Sequence, residues 1–210
     1  KQCSHRIPPS LANSMKRREG ITGLLLAAGN STRFGSNKLL ATLPNGRSIG
    51  LSAARNLAAC VDEVLVVVKN QEDDTAEMFQ KEGYRTIVAE NASLGMGNTL
   101  KSGLRSSLES LGWVIALADM PYIGAEVITS LSELLKKDVG LCAPIFKGIR
   151  GHPVCFSKRI LSDLLSIDDS KGAVGLIARY HEELVELRTT DSGVVHDIDV
   201  PEDLGSLRCD

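Results

Sequence analysis

Three short, fully apolar segments alternate with amphipathic ones in the first half of this chain, and this alternation most constrains its fold. The segments are residues 24–26, 64–68 and 113–118. Continuous apolar runs of this kind are typical of strands that are buried on both faces of a sheet. Such strands separated by helices predict an α/β fold with three layers, a Rossmann-like, mostly parallel sheet with helices on both faces.

The same patterns predict the remaining elements. The predicted strands are 21–27, 63–68, 84–89, 113–118 and 139–144, with minor strands at 184–188 and 194–195. The predicted helices are 50–60, 71–82, 97–110, 124–137, 157–166, 172–180 and 201–207. A glycine-rich turn at 147–151 predicts a hairpin or a lid-like excursion.

Size and composition indicate one globular domain. The chain has 210 residues, of which 43% are hydrophobic and 24% charged. A net charge of −2 gives no reason to expect nucleic acid as a partner, and no apolar run approaches the ~20 residues of a membrane span. Five scattered cysteines favour a reducing, cytoplasmic location. We interpret residues 1–20 as a disordered arm or expression remnant, with a transit peptide as the minor alternative, and 21–210 as a single domain.

The loop after the first strand has the composition of an anion-binding turn. Ala27, Ala28 and Gly29 are small enough to let backbone atoms approach a ligand closely, and Arg33 and Lys38 follow them. Turned backbone N–H groups and two cations can together bind phosphates. The loop lacks the Walker lysine pattern and the glycine spacing of a dinucleotide fingerprint, so a surface turn with solvated cations is the alternative.

Four stretches in this order resemble the nucleotidyltransferase superfamily that transfers NMP from an NTP to a phosphate. They are Leu26-Ala27-Ala28-Gly29-x-Ser31-x-Arg33-x-Gly35-x-x-Lys38, Gly95-Met96-Gly97-Asn98-Thr99-Leu100, Leu117-Ala118-Asp119-Met120-Pro121, and Gly151-His152-Pro153-Val154 with residues 197–203. Within the superfamily the chain most resembles the molybdenum-cofactor cytidylyltransferases, the MocA-like branch of the MobA-like NTP transferases. The resemblance implies a fold of the nucleotide-diphospho-sugar transferase type.

The resemblance implies Mg²⁺-dependent transfer of CMP from CTP to the phosphate of molybdenum-carrying molybdopterin, giving molybdopterin cytosine dinucleotide and pyrophosphate. A molybdoenzyme or its maturation chaperone is the implied downstream partner. Two alternatives stay open, a cytidylyl- or uridylyltransferase acting on a sugar or polyol phosphate and a non-catalytic carrier or chaperone of the cofactor. The presence of Arg33, Lys38, Asp119 and Asp199 in one chain weakens the carrier hypothesis.

By this resemblance, Arg33, Lys38 and Asp119 are the catalytic residues. Asp119 is also the leading Mg²⁺ ligand, Asp199 the second ligand and Asp197 a less favoured alternate, since carboxylates are ligands that Mg²⁺ prefers. Open parallel sheets bind ligands at the carboxyl ends of their strands, where both the glycine loop and Asp119 are expected. The alternatives are a strand-end turn or helix cap for Asp119 and a solvated acidic turn that caps the last helix for Asp197, Asp199, Glu202 and Asp203.

The nucleotide and the acceptor have separate implied residues. The implied nucleotide-binding set is Leu26, Ala27, Ala28, Gly29, Arg33, Lys38, Asn91, Gly95, Met96 and Gly97. Relatives that use GTP tend to have Ala-Gly-Gly where this chain has Ala-Ala-Gly, so the Cβ of Ala28 favours the smaller cytosine. The two later glycines could instead only mark a helix start. His152 is implied on the acceptor side, with a structural histidine before Pro153 as the alternative.

Overall fold

The computed structural model describes residues 20–29 and 33–205, so the predicted arm lies almost entirely outside the described residues. The strands are β1 (Ile21–Ala27), β2 (Glu63–Val68), β3 (Arg85–Val88), β4 (Gly112–Leu117), β5 (Leu141–Phe146), β6 (Ile149–Arg150), β7 (Val154–Ser157) and β8 (Leu184–Arg188). The helices are α1 (Ile49–Ala58), α2 (Asp74–Lys81), α3 (Met96–Arg105), α4 (Ala125–Lys136), α5 (Leu161–Leu165) and α6 (Val174–Arg179). Short 3₁₀ turns include Lys38–Leu40, Ala92–Leu94, Ser192–Val195 and Pro201–Gly205.

Within the described ranges the strands form one mixed sheet in the order β3-β2-β1-β4-β7-β5-β6, with β8 on β5. Strand β1 is central and pairs in parallel with β2 and β4, and β2 pairs in parallel with β3. Strand β7 is antiparallel to both β4 and β5, while β8 is parallel to β5. The carboxyl ends of β1 and β4 therefore meet at the same edge of the sheet.

Helices cover both faces of this sheet, as predicted. All seven residues of β1 are buried, which explains its continuous apolar run. On one face Leu25 belongs to a core that includes residues of α1, α2 and α4. On the other face Leu24 and Leu26 belong to a core that includes residues of α3, α5 and α6. The three-layer α/β prediction is confirmed.

The segment predicted as a hairpin or lid-like excursion is part of the sheet. Strands β5 and β6 form the hairpin, and the chain then returns as β7 between β4 and β5. The hairpin prediction is confirmed, and the returning strand is part of the core because Val154, Cys155 and Phe156 are buried apolar residues.

Most other boundaries shift by one to four residues, and the predicted helix at 201–207 is the 3₁₀ turn Pro201–Gly205 over its described residues. Two differences have a clear cause. Residues 194–195 are not a strand, because Asp191 accepts a hydrogen bond from Gly193 N–H at 2.8 Å and caps the 3₁₀ turn Ser192–Val195. Helix α3 ends at Arg105, five residues before its predicted end at 110. The hydroxyl of Ser107 lies just beyond it and accepts the indole N–H of the buried Trp113 at 2.9 Å. No helix in the described part of the chain is long and apolar enough to cross a bilayer.

Candidate active site

Lys38 and Asp119 meet at the carboxyl edge of the sheet. Asn37 caps the 3₁₀ turn that begins at Lys38, accepting Leu39 N–H at 3.3 Å and donating to Thr75 Oγ1 at 2.6 Å. The turn is thereby fixed against α2, and the Lys38 side chain is only 9% exposed. Its Nζ lies 2.7 Å from Asp119 Oδ2. The sheet-edge argument from the sequence predicts this convergence, and the structure shows it.

The late acidic segment reaches the same place through main-chain contacts. Ile198 N–H donates to the Asp119 carbonyl oxygen at 2.9 Å, and the Ile198 carbonyl oxygen accepts from Lys38 Nζ at 2.9 Å. These bonds place Asp199 Oδ1 3.1 Å from Lys38 Nζ and Asp199 Oδ2 2.5 Å from Arg33 Nη1. Both oxygens of the Asp199 carboxylate therefore interact with cations.

Asp197 completes a cluster of three carboxylates. Ligand oxygens of Asp119, Asp197 and Asp199 all lie within 4.8 Å of one another. Clustered carboxylate oxygens suit a hard divalent cation such as Mg²⁺ or Mn²⁺, which is usually held by one or two carboxylates together with substrate phosphates. The Lys38 ammonium bound between two of them shows that the cluster stabilises a cation. Asp197, the less favoured alternate in the sequence, thus lies close enough to be a ligand.

The Gly-His-Pro motif joins this acidic segment to the sheet. His152 N–H donates to the Val194 carbonyl oxygen at 2.7 Å. A Cβ on Gly151 would lie 2.2 Å from the same oxygen, so only glycine permits this close approach. Part of the motif is therefore structural, because it positions the chain that leads into Asp197 and Asp199.

Two further carboxylates fix the ends of the segment. Asp191 Oδ2 accepts Gly124 N–H at 2.7 Å at the start of α4. Asp203 Oδ2 accepts the N–H groups of Val200 at 3.0 Å and Asp199 at 2.8 Å. These two backbone hydrogen bonds lower the pKa of the Asp203 carboxyl. Sequence reasoning treated Asp203 only as part of an acidic turn and missed this positioning contact.

The half-buried His152 imidazole lies near Asp119 and Asp197. Burial is the main influence and lowers the pKa of His152, against the opposing effects of Asp119, a hydrogen bond with the Ile115 backbone and Asp197. The charge of Arg150 lowers the pKa further. Within the described ranges the buried Nδ1 atom has no hydrogen-bond partner. The lowered pKa favours the neutral ring at pH 7, and Nδ1 is enclosed by protein atoms.

Lys38 carries a full positive charge in this setting. Burial alone would lower the pKa of Lys38, but the hydrogen bond and charge of Asp119, followed by those of Asp199, outweigh burial and raise the pKa. A buried ammonium paired with two carboxylates is a compact point charge, suited to phosphate oxygens when they are present.

A cavity of about 270 Å³ extends from the β1 loop to these charges. Its lining residues are Leu26, Ala27, Ala28, Gly29, Lys38, Leu39, Ala92, Ser93, Gly95, Met96, Thr99, Leu117 and Asp119. Most of the lining is apolar or small, and Lys38 and Asp119 are its charged members. A mainly apolar pocket with a few charged groups is typical of a small-molecule site.

The predicted nucleotide set divides into two groups. Seven of its members line the cavity, namely Leu26, Ala27, Ala28, Gly29, Lys38, Gly95 and Met96. Arg33, Asn91 and Gly97 are outside that lining. Gly97 lets another segment approach α3, because a Cβ there would lie 2.1 Å from the Asp168 carbonyl oxygen. Ser93 was missed because the 3₁₀ turn Ala92–Leu94 was not predicted, although the small residues preceding Gly95 were the available signal.

Fold and site together define the class of protein. A small-residue turn at the end of a parallel strand, with paired cations and aspartates beside a cavity, can hold a triphosphate and neutralise the charge of its transfer, as a nucleotidyltransferase requires. The chain belongs to the family described as MobA-like NTP transferase domain, which matches residues 23–184. The resemblance that the motifs carry is thereby confirmed.

Individual relatives agree with this family. The purine catabolism protein PucB of Bacillus subtilis is 31% identical over 90% of this chain and 96% of its own length. A molybdenum cofactor guanylyltransferase of Burkholderia ambifaria is 35% identical, over 55% of this chain and about half (56%) of its own length. The molybdenum cofactor cytidylyltransferase of Escherichia coli is 21% identical over 87% of this chain and 93% of its own length.

Solved structures share the fold. Rv0371c from Mycobacterium tuberculosis matches with a TM-score of 0.76 and 22% identity, over 87% of this chain and 95% of that chain. A structure of Rv0371c in complex with manganese matches with a TM-score of 0.68 and 20% identity, over 88% of this chain and 95% of that one. These likenesses support the nucleotide-diphospho-sugar transferase type of fold.

Proposed function

We propose that this nucleotidyltransferase transfers CMP from CTP to the phosphate of molybdenum-carrying molybdopterin and releases pyrophosphate, with Mg²⁺ held by Asp119 and Asp199. The observation that carries the proposal is the contact of Lys38 Nζ with both aspartates, at 2.7 and 3.1 Å, beside a cavity lined by the β1 loop. Family membership supports the reaction class, and the cytidylyltransferase and guanylyltransferase relatives support a molybdenum-cofactor acceptor.

The carboxylates fit a divalent metal ion. Asp119 and Asp199 would hold it, with Asp197 as an alternate. Oxygens of all three aspartates converge, and those of Asp119 and Asp199 already contact the Lys38 ammonium. When bound, the metal ion neutralises charge that develops on the transferred phosphate and on the leaving pyrophosphate. The manganese complex of a protein with this fold is consistent with such a site.

The cations of the chain would hold the triphosphate. Arg33 is 74% exposed and can turn from Asp199 to grip two phosphate oxygens with its planar guanidinium. Lys38 can exchange its carboxylate partners for phosphate oxygens without leaving the site. The acceptor phosphate oxygen attacks the α-phosphate in line, and the bond from the α-phosphate to pyrophosphate breaks. A phosphate acceptor is already ionised at neutral pH, so the step needs no general base, and direct in-line attack needs no covalent enzyme intermediate.

The cavity and His152 are assigned to opposite substrates. The base and ribose would lie against Ala27, Ala28 and Gly29, where the Cβ of Ala28 leaves less room and favours cytosine over guanine. GTP is the second candidate nucleotide, since the Burkholderia relative is a guanylyltransferase. His152, neutral and close to two of the aspartates, would bind the acceptor. A reducing cytoplasmic location and delivery to a molybdoenzyme or its chaperone belong to the same proposal.

Pyrophosphate release tests the proposal. Wild type, Asp119→Asn and the surface control Asp74→Asn are supplied with molybdenum-carrying molybdopterin, saturating Mg²⁺ and one of CTP, GTP or UTP. We expect CTP to react fastest, Asp74→Asn to match wild type, and Asp119→Asn to be slower by about 10²-fold or more.

Each contrary result has a distinct meaning. Near-normal turnover of Asp119→Asn would remove Asp119 from the mechanism. Faster reaction with GTP would overturn the assignment of the base. A wild-type protein that binds the cofactor but releases no pyrophosphate with any nucleotide would indicate a carrier, and turnover only with sugar or polyol phosphates would indicate that alternative acceptor.

A further inference from the structure

The acidic cluster is already occupied by cations of the chain itself. Lys38 Nζ lies 2.7 Å from Asp119 Oδ2 and 3.1 Å from Asp199 Oδ1, and Arg33 Nη1 lies 2.5 Å from Asp199 Oδ2. Three of the four carboxylate oxygens of these two aspartates therefore accept from cationic donors. The main-chain carbonyl of Ile198 also accepts from Lys38, at 2.9 Å, so the ammonium is held from several sides.

We propose that Lys38 and Arg33 block divalent metal ions from the nucleotide-free protein, so that the metal ion enters together with the nucleotide. The inference rests on the proposed function in one respect, because the triphosphate is the anion that would draw the two cations away from the aspartates. It goes beyond that function by assigning to Lys38 a second task, the control of when the metal site forms.

Charge and geometry favour this exchange. Mg²⁺ binds oxygens at about 2.0–2.1 Å, whereas the ammonium lies farther from the same oxygens, so a metal ion on both aspartates would sit directly beside Lys38. Two positive charges this close repel strongly in a partly buried site. Lys38 is 9% exposed and cannot replace its carboxylate partners with bulk water where it stands. A triphosphate supplies the missing counter-charge and frees the carboxylates.

The chain offers a matched control lysine. The Lys101 side chain is 11% exposed, pairs with Asp169 and donates to the Ile167 carbonyl oxygen at 3.1 Å. It thus shares burial, an ion pair and a carbonyl contact with Lys38. Its partners belong to the loop packed on α3 and not to the acidic cluster. Removing its charge tests the effect of losing a buried lysine without altering the metal ligands.

Binding of Mn²⁺ to nucleotide-free protein tests the proposal, with free Mn²⁺ followed by electron paramagnetic resonance. We expect Lys38→Met to bind Mn²⁺ at least about tenfold more tightly than wild type, within the usual range of coupling between sites. Arg33→Met should show a smaller gain because Arg33 is largely exposed, and Lys101→Met should match wild type. Adding Asp119→Asn to Lys38→Met should abolish the gain, because it removes a proposed ligand.

A folded Lys38→Met protein that binds Mn²⁺ no more tightly than wild type would overturn the proposal. Circular dichroism establishes whether that variant is folded. If it is not, the exposed Arg33→Met variant decides, and wild-type Mn²⁺ affinity in that variant overturns the proposal. These Mn²⁺-binding measurements contain no nucleotide, so their outcome does not depend on which reaction the protein catalyses. Failure of wild type to turn over any nucleotide would refute the proposed function even if Lys38→Met gained Mn²⁺ affinity.

Discussion

Gly151→Ala is the substitution that most directly tests how the acidic segment is held. Gly151 carries no charge and is buried between β6 and β7. The added Cβ would lie 2.2 Å from the Val194 carbonyl oxygen, whereas ordinary contact begins at 3.4 Å. The difference, 3.4 − 2.2 = 1.2 Å, is the distance by which the two backbones must separate. Because that oxygen also accepts His152 N–H at 2.7 Å, the hydrogen bond is lost or strained in the process.

The expected loss of stability follows from these two effects. Overpacking of this kind costs about 1–3 kcal/mol, and the lost hydrogen bond adds about 1 kcal/mol. We therefore expect the free energy of unfolding to fall by about 2–4 kcal/mol, and the melting temperature by about 4–16 °C for a domain of this size. A shift near 1 Å that reaches Asp197 and Asp199 would also slow turnover by about 10²-fold, although no catalytic group is altered.

Denaturant and thermal unfolding measure the stability, and pyrophosphate release measures turnover. Gly175→Ala is the control, since Gly175 lies in α6 with no atom within 4 Å of the added Cβ, and alanine there should be neutral or stabilise by up to about 1 kcal/mol. If Gly151→Ala unfolded at the wild-type midpoint, the close approach to Val194 would not be a constraint, and the structural role of the Gly-His-Pro motif would be refuted.

Substitutions at three further positions test separate parts of the site. Ala28→Gly should shift the nucleotide preference toward GTP by about tenfold, the lower end of what one methyl group contributes. Competition between labelled CTP and GTP measures this preference, and an unchanged ratio of CTP to GTP use would count against the steric argument. Asp203→Ala should raise the metal concentration needed for half-maximal activity by about tenfold. Asp203→Asn can still accept the two N–H groups and should stay near wild type. Equal effects of the two substitutions would exclude a positioning role. Because burial lowers the pKa of folded His152 below its usual 6.5, the unfolded chain binds that proton more readily, and wild type should lose stability as the pH falls below about 6.5. His152→Gln should lose less stability between pH 7.5 and 5.5 in denaturant titrations, and identical losses would contradict the assigned pKa direction.

Local patterns were sufficient to predict most of the sheet. Strand β1 and strand β2 have the predicted bounds, because residues buried on both faces leave an uninterrupted apolar run. The position of β7 could not be predicted in the same way. The same four-residue run is compatible with a lid-like excursion and with a central strand, and only its antiparallel pairing with β4 and β5 distinguishes the two.

The candidate site was predictable where chemistry and the sheet edge coincide. Lys38 and Asp119 follow neighbouring parallel strands, so their meeting follows from topology. The closeness of Asp197 to the other two aspartates and the positioning contacts of Asp203 were not predictable. They depend on the path of a loop that is set by main-chain contacts with Asp119 and with the Gly-His-Pro turn. Such contacts have no side-chain signature in the sequence.

The residues of the family motifs therefore fall into two kinds, those that bear the proposed chemistry and those that shape the backbone around it. Gly97 and Gly151 stand within motifs of a nucleotide-binding family, yet their missing Cβ atoms make room for the backbones of Asp168 and Val194 and not for a ligand. The charged residues Arg33, Lys38, Asp119 and Asp199 bear the proposed chemistry, but the glycines determine whether those charges meet. Substituting the exposed Arg33 should therefore change turnover with little loss of stability, whereas substituting Gly97 or Gly151 should change stability and turnover together. A variant of either glycine that lost turnover at full stability would show that the residue contacts substrate directly.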